Sequence, residues 1–323
     1  MYDGVSKNDV LSDPQFKAPQ LAAIQSVLKV MAYFDLFDHP LASSEVRQFL
    51  DQPLSQEETE AVLQKLANQG VIGSINEFWG VGDIQINLQR RKAKNLLAKE
   101  RTTAAEKYSR IIATFPYVRS VCLTGSYSKG VMSEDSDLDF FIITKPGRLW
   151  FAKMLMVLFR KIFLFDSHRN FCINYLITEN NFNIESQNIF TAMELVTMIP
   201  AYGCDVYKDF LKANNWVNLV FPNRQTPSST INIELKPHWR LLKAMFEKLG
   251  SFNWGNTIDR YFMNLSLKKY RSKYSHNLAE VDFVRAIEVS PKVSKVHPQF
   301  YQKIVQVKLE EKMAQLFAEA QIN

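Results

Sequence analysis

Residues 123–144, LTGSYSKGVMSEDSDLDFFIIT, hold a strand end, a Gly-Ser turn, a short helix and the start of a second strand. Leu123 closes an apolar run that begins at Val118, and Gly125-Ser126 breaks it. Asp137 and Asp139 then open a strand that continues through Phe140, Phe141, Ile142 and Ile143. Side chains alternate across a strand, so the two aspartates are expected to project together, with Leu138 buried on the other face. Two carboxylates held side by side repel, and a bound divalent cation is the usual compensation. The Gly-Ser turn opens a helix, whose first amides and positive dipole end suit a phosphate. Metal-binding carboxylates beside a phosphate cradle point to phosphoryl or nucleotidyl transfer. The bland alternative is an Asp-x-Asp pair that merely forms a solvated strand entry, and the upstream Gly-Ser favours the functional reading.

Gly125-Ser126, Gly130 and Ser136-Asp137-Leu138-Asp139 resemble the signature of the DNA polymerase beta-like nucleotidyltransferase superfamily. The spacing is most similar to its minimal nucleotidyltransferase branch. The resemblance implies an α/β (α+β) chain with a small mixed-sheet core, and an NTP as substrate. It also implies Mg²⁺ (or Mn²⁺) held by the catalytic Asp137 and Asp139. Gly125 would let the backbone approach the phosphates, and Ser126 would donate a hydroxyl or amide to them. Lys129, one helical turn on, either adds charge there or is simply solvated.

The resemblance further implies a third acidic residue, on the strand after the long helix, to bind metal and deprotonate the attacking hydroxyl. That strand, NFCINYLIT over 170–178, offers Asn174. With Phe171, Ile173, Tyr175 and Ile177 alternating on one face, Asn174 is expected on the face where the acid belongs. An Asn can coordinate through its carbonyl but supplies neither base nor charge. Glu179 and Glu185 follow downstream as possible substitutes, off the clean alternation. Three readings stay open: slow transfer with a displaced base, an acid supplied by a partner, or nucleotide binding without turnover.

A chain of 323 residues, 46% hydrophobic, can bury a large core and divide into two or three domains. The longest apolar stretch, Leu149 to Phe165, is interrupted by Lys153, Arg160 and Lys161. A membrane span needs about twenty largely uncharged residues, so this stretch reads as a mostly buried amphipathic helix, and no membrane partner is expected. The opening residues lack a basic region followed by an apolar segment. Cys122, Cys172 and Cys204 show no metal-ligand spacing, and a reduced, cytoplasmic location is expected. Net charge is +6, concentrated over residues 90–110, which read as one basic helix. That helix either steers a polyphosphate or is a solvated surface, and the charge run alone does not choose.

Residues 1–18 read as a loose polar arm. Residues 19–87 read as a winged-helix-like module. Leu21 to Phe34 has helical apolar spacing, Ser43 starts a short second helix, and Ser55 with Glu58 marks a capping box for the third. Two strand-like pieces follow, around 71–73 and 78–80. The third helix carries Glu57, Glu58 and Glu60 against a single Lys65, so nucleic acid is possible but not favoured, and packing or protein contact is the better reading. The nucleotidyltransferase-like segment is expected over 88–200, and a mainly helical C-terminal region over 201–323. Trp216, Trp239 and Trp254 there are read as core.

The chain thus reads as a Mg-dependent nucleotidyltransferase moving an NMP from an NTP to an unidentified hydroxyl acceptor. The alternative is a catalytically degenerate protein of the same fold, acting as a nucleotide-sensing or protein-interaction scaffold.

Overall fold

A computed structural model of the chain describes residues 14–224, 231–249, 255–274, 283, 286–296 and 301–320. The first elements are α1 (Pro14–Asp35), β1 (Leu41–Ala42), α2 (Ser43–Gln48), α3 (Gln56–Asn68), β2 (Gly73–Ile75), β3 (Phe78–Gly80) and α4 (Ile84–Glu100). Next come α5 (Thr102–Thr114), β4 (Val118–Thr124), α6 (Gly125–Ser128), β5 (Asp139–Thr144), α7 (Leu149–Phe163) and β6 (Cys172–Thr178). Then α8 (Ile189–Thr197), β7 (Ile199–Tyr202), α9 (Cys204–Ala213), α10 (Val217–Val220), α11 (Pro237–Leu249) and α12 (Gly255–Tyr274). The chain closes with β8 (Ile287–Val289), β9 (Val293–Val296) and α13 (Tyr301–Glu319). Two compact units form, one from described residues 14–92, 218–224 and 305–320, the other from 93–217 and 231–304.

In the first unit the periodic positions of α1, Ile24, Leu28, Met31 and Phe34, are buried as expected. Val46, Leu50, Leu63 and Leu66 are buried as well, and α1 packs against both α2 and α3. Ser55 and Glu58 form the anticipated reciprocal cap, Glu58 N donating to Ser55 Oγ at 3.1 Å and Ser55 N to Glu58 Oε2 at 2.8 Å. Three short strands make an antiparallel sheet in the order β1-β3-β2. The expected loose arm is corrected in part: α1 starts at Pro14 and carries Pro19 inside it, while residues 1–13 lie outside the described residues. The lost amide of one internal proline is a local cost that burial of the apolar stripe outweighs.

The second unit is built on a mixed sheet in the order β7-β4-β5-β6-β9-β8. Strands β4 and β5 are antiparallel, and β5 and β6 run parallel across the α7 crossover. Its core buries Val121 and Leu123 of β4, Phe140 and Ile142 of β5, and Trp150 and Met156 of α7. The β-α-β-α-β order of residues 118–178 is the one expected from the sequence. Lys153 and Arg160, the charges that interrupt α7, are themselves buried. Among the described residues, no helix is long and apolar enough to cross a membrane.

Four expectations are corrected. The basic run is two helices, broken at Arg101. Residues 199–202, expected only as the break after a helix that ends at Met198, form β7 on the sheet edge, where Pro200 costs no interior ladder bond. The helical tail contains a hairpin, β8–β9, that pairs with β6 and extends the sheet. Trp239 is exposed rather than core. Trp254 and residues 225–230 lie outside the described residues.

Candidate active site

The turn between β4 and α6 sits against the first residue of β5. Thr124 pairs with Asp139 across the antiparallel ladder, and Gly125 follows with φ +70°, a left-handed conformation. A Cβ on Gly125 would run into Asp139 Oδ2, so backbone and carboxylate are in direct apposition. Leu138 is fully buried in the core, while Asp137 and Asp139 on either side of it are half-buried. This is the alternation expected from the sequence. Leu138 N donates to Arg169 O at 2.9 Å and Cys172 N to Leu138 O at 3.1 Å, so the aspartate pair begins where the β5–β6 ladder begins.

Burial raises Asp139 to about 6, with the negative charges of Glu194 and Asp137 adding to the rise. A hydrogen bond with the Cys172 side chain and the charge of Lys129 oppose it.

Ser126 is half-buried, and its carbonyl accepts from Val131 N at 2.9 Å, closing the short loop that contains Gly130. Lys129 is folded back on the site. Its Nζ lies 2.6 Å from Glu194 Oε1 and 3.3 Å from Gly125 O, and its side chain is only 5% exposed. A solvated Lys129 is therefore excluded. Glu194, on α8, was not singled out in the sequence; it lies 65 residues beyond its partner, and no local pattern signals the pairing.

Arg101, at the break between α4 and α5, ties two loops together. It donates to Arg169 O at 2.7 Å, to Asn170 Oδ1 at 2.8 Å and to Ser136 O at 3.4 Å. Ser136 Oγ in turn accepts from Ser133 N at 2.9 Å. The residue before Asp137 is thus held from two directions.

The strand expected to supply the third acid is not regular. Asp139 pairs with Cys172, yet Phe141 pairs with Tyr175, so β6 carries one extra residue between them. Phe171, Ile173 and Leu176 consequently share the core, and Tyr175 packs its ring on Phe141 instead. The strict 171-173-175-177 alternation does not hold, and the β6 residue beside Asp139 is Cys172. Asn174 lies at the bulge; its side chain is outside the described residues. Glu179 sits past the far end of β6, 3.8 Å from Arg119, and Glu185 is exposed. Among the described residues, no three His, Cys, Asp or Glu side chains are grouped to hold a metal ion.

Residues 105–187 match the family model of the nucleotidyltransferase domain. The span runs from α5 past β6 and includes Gly125, Ser126, Lys129, Asp137, Asp139 and Asn174. No curated protein matches the chain, and no solved structure does.

Proposed function

We propose, from the nucleotidyltransferase domain match and the turn it contains, that the protein transfers a nucleoside monophosphate from an NTP to a hydroxyl acceptor. The observation that carries the reading is the apposition of the left-handed Gly125 turn with the Asp139 carboxylate. Asp137 and Asp139 offer hard oxygen donors of the kind Mg²⁺ or Mn²⁺ takes, with phosphate oxygens and water completing the shell. Bound there, the cation would neutralise the triphosphate and the leaving pyrophosphate. Gly125 lets the turn close against the Asp139 carboxylate, and Ser126 offers its amide and hydroxyl to the phosphates. Lys129, held at the Gly125 carbonyl, brings a positive charge to the same turn. Arg101 positions Asp137 by fixing the loops at 136 and 169–170.

No strong base stands beside Asp139 on β6. Burial, and next the charge of Asp139, push the Cys172 thiol far up, so it keeps its proton. The rate would then rest on orientation and charge neutralisation, which supply most of phosphoryl-transfer catalysis. Cys172 in that place also favours the second reading, a nucleotide-sensing scaffold. The three helices and small sheet of the first unit support a winged-helix-like module, and the acidic first turn of α3 favours protein contact over nucleic acid.

The test is calorimetric titration of ATP, GTP, CTP and UTP, with and without Mg²⁺, on wild type and Asp137→Asn/Asp139→Asn. Mg²⁺-dependent binding that the double variant loses is expected. No binding of any nucleotide overturns the site. Binding without pyrophosphate release from any NTP, across a panel of hydroxyl acceptors, selects the scaffold.

A further inference from the structure

Helix α11 is mounted inside out. Among its described residues the one buried side chain is Lys243, whose Nζ donates to Ala113 O at 2.8 Å and Val118 O at 2.6 Å. One turn on, Glu247 grips Arg119 through two bonds of 2.9 Å and accepts from Tyr117 N at 2.7 Å. The charged face is spent on holding the helix to β4. The opposite face carries Leu242, Met245 and Leu249 at i, i+3 and i+7, flanked by Trp239, Leu241 and Phe246. Leu241 is 72% exposed, Leu249 59%, Phe246 54% and Met245 48%. Amphipathic helices of soluble proteins put the apolar stripe inward, so this orientation needs a cover.

We propose that the cover is a second copy of this chain, packed α11 against α11 about a twofold axis near Met245. Met245 is the midpoint of the stripe from Leu241 to Leu249, so a twofold there lays one stripe antiparallel on the other. Taking roughly 150–200 Å² for each large side chain, the six leave about 500–600 Å² uncovered per chain. Two such faces remove about 1,000–1,200 Å², which with a polar rim reaches the size of a stable interface. The stripe supplies most of that area and a polar rim the rest. A lipid surface fits less well. An interfacial helix turns a cationic face to the headgroups, and of the three Lys and Arg residues of α11, Lys243 is buried and Arg240 lies 3.8 Å from Glu234, with Lys248 the third.

Light scattering and sedimentation equilibrium on the full chain test this. Wild type is expected to be a dimer at micromolar concentration. Met245→Glu, a change at a position exposed in the single chain, is expected to raise the dimer dissociation constant at least about thirtyfold, the loss typical of a central interface anchor. Its circular dichroism and melting as a monomer should show an intact fold. Met245→Cys should cross-link to a covalent dimer under mild oxidation, as a residue beside a twofold axis must. A monomeric wild type at micromolar concentration overturns the proposal. So does a dimer indifferent to Met245→Glu that fails to cross-link through Met245→Cys. Co-sedimentation of monomeric wild type with anionic phospholipid vesicles, abolished by Met245→Glu, overturns it in favour of a lipid surface.

Discussion

The carboxylate of Asp139 stands where a side chain on Gly125 would have to go. The two residues are brought together by the ladder itself, since Thr124 pairs with Asp139 and the chain turns left-handed at the next step. One glycine thus meets two demands, a backbone conformation that other residues rarely adopt and the space that an acid occupies. The demands can be separated by substitution.

Gly125→Ala is expected to abolish nucleotide binding and to lower stability by more than the strain of the turn. Gly70 supplies the comparison, with φ +76° and nothing within 4 Å of the point where a methyl group would stand. Gly70→Ala should cost only the left-handed strain, about 1–2 kcal/mol. Calorimetric melting of both variants gives the difference, and equal losses would show that Asp139 moves aside freely.

Lys129 depends on Glu194 for its counter-charge. Glu194→Gln takes the neighbouring counter-charge from the buried Lys129 ammonium and leaves it neutral acceptors there, the Gly125 carbonyl and the new amide oxygen. The expected loss is about 2–3 kcal/mol, below the full range for a broken buried pair because Glu194 keeps partial access to water. Lys129→Met combined with Glu194→Gln should recover most of it. If Lys129 serves phosphates, Glu194→Gln should also tighten ATP binding several-fold. Urea denaturation of the double-mutant cycle measures the coupling, and additive losses would refute it.

What was legible beforehand was local. The strand, turn and strand of residues 118–144 show in the sequence because an apolar run, a glycine and an alternating Asp-Leu-Asp are all near neighbours. The capping box at Ser55 and Glu58 is legible for the same reason. What was missed depends on distant partners. Strand β7 exists because Ile199, Pro200 and Tyr202 meet β4, and β8–β9 because Val293 to Lys295 meet β6. The bulge that sets Cys172 beside Asp139 breaks the one assumption, strict alternation, from which Asn174 was placed. Lys129 and Glu194 are joined only by the fold. Trp239 was read as core because helical aromatic spacing usually is core, and nothing in that spacing says which face of α11 turns inward.

Arg101 is expected to matter to the site as well as to the fold. Arg101→Ala removes bonds to Ser136, Arg169 and Asn170, freeing the two loops that flank Asp137 while leaving the apolar core intact. Mg²⁺-dependent ATP affinity should fall about tenfold, with a stability loss of about 1.5–3 kcal/mol, the scale of a hydrogen bond to a charged group. Arg101→Lys should not rescue it, because an ammonium cannot span the same acceptors. Hydrogen exchange over 133–138 should quicken in both variants, and unchanged exchange would deny Arg101 its positioning role.

Lys153 makes stability depend on pH. It is buried against the rings of Trp150 and Tyr270, with Ser294 Oγ as its hydrogen-bond partner. Burial, with Arg160 adding to it, lowers its pKa to about 7 from the ordinary 10.5. Between those values the unfolded chain holds a proton that the folded chain has released. The unfolded state then binds more protons, so stability rises with pH across that window, by at most about 1.4 kcal/mol per pH unit. Below about pH 7 both states are protonated, and the full penalty of the buried charge applies. Lys243, lowered to about 8 by burial, contributes in the same direction but is present in both proteins when wild type is compared with Lys153→Met. Urea denaturation at steps between about pH 6 and pH 10 should show wild type gaining on Lys153→Met as pH rises. Parallel curves would mean that Lys153 keeps its proton inside the fold, sustained there by Ser294 and the two rings.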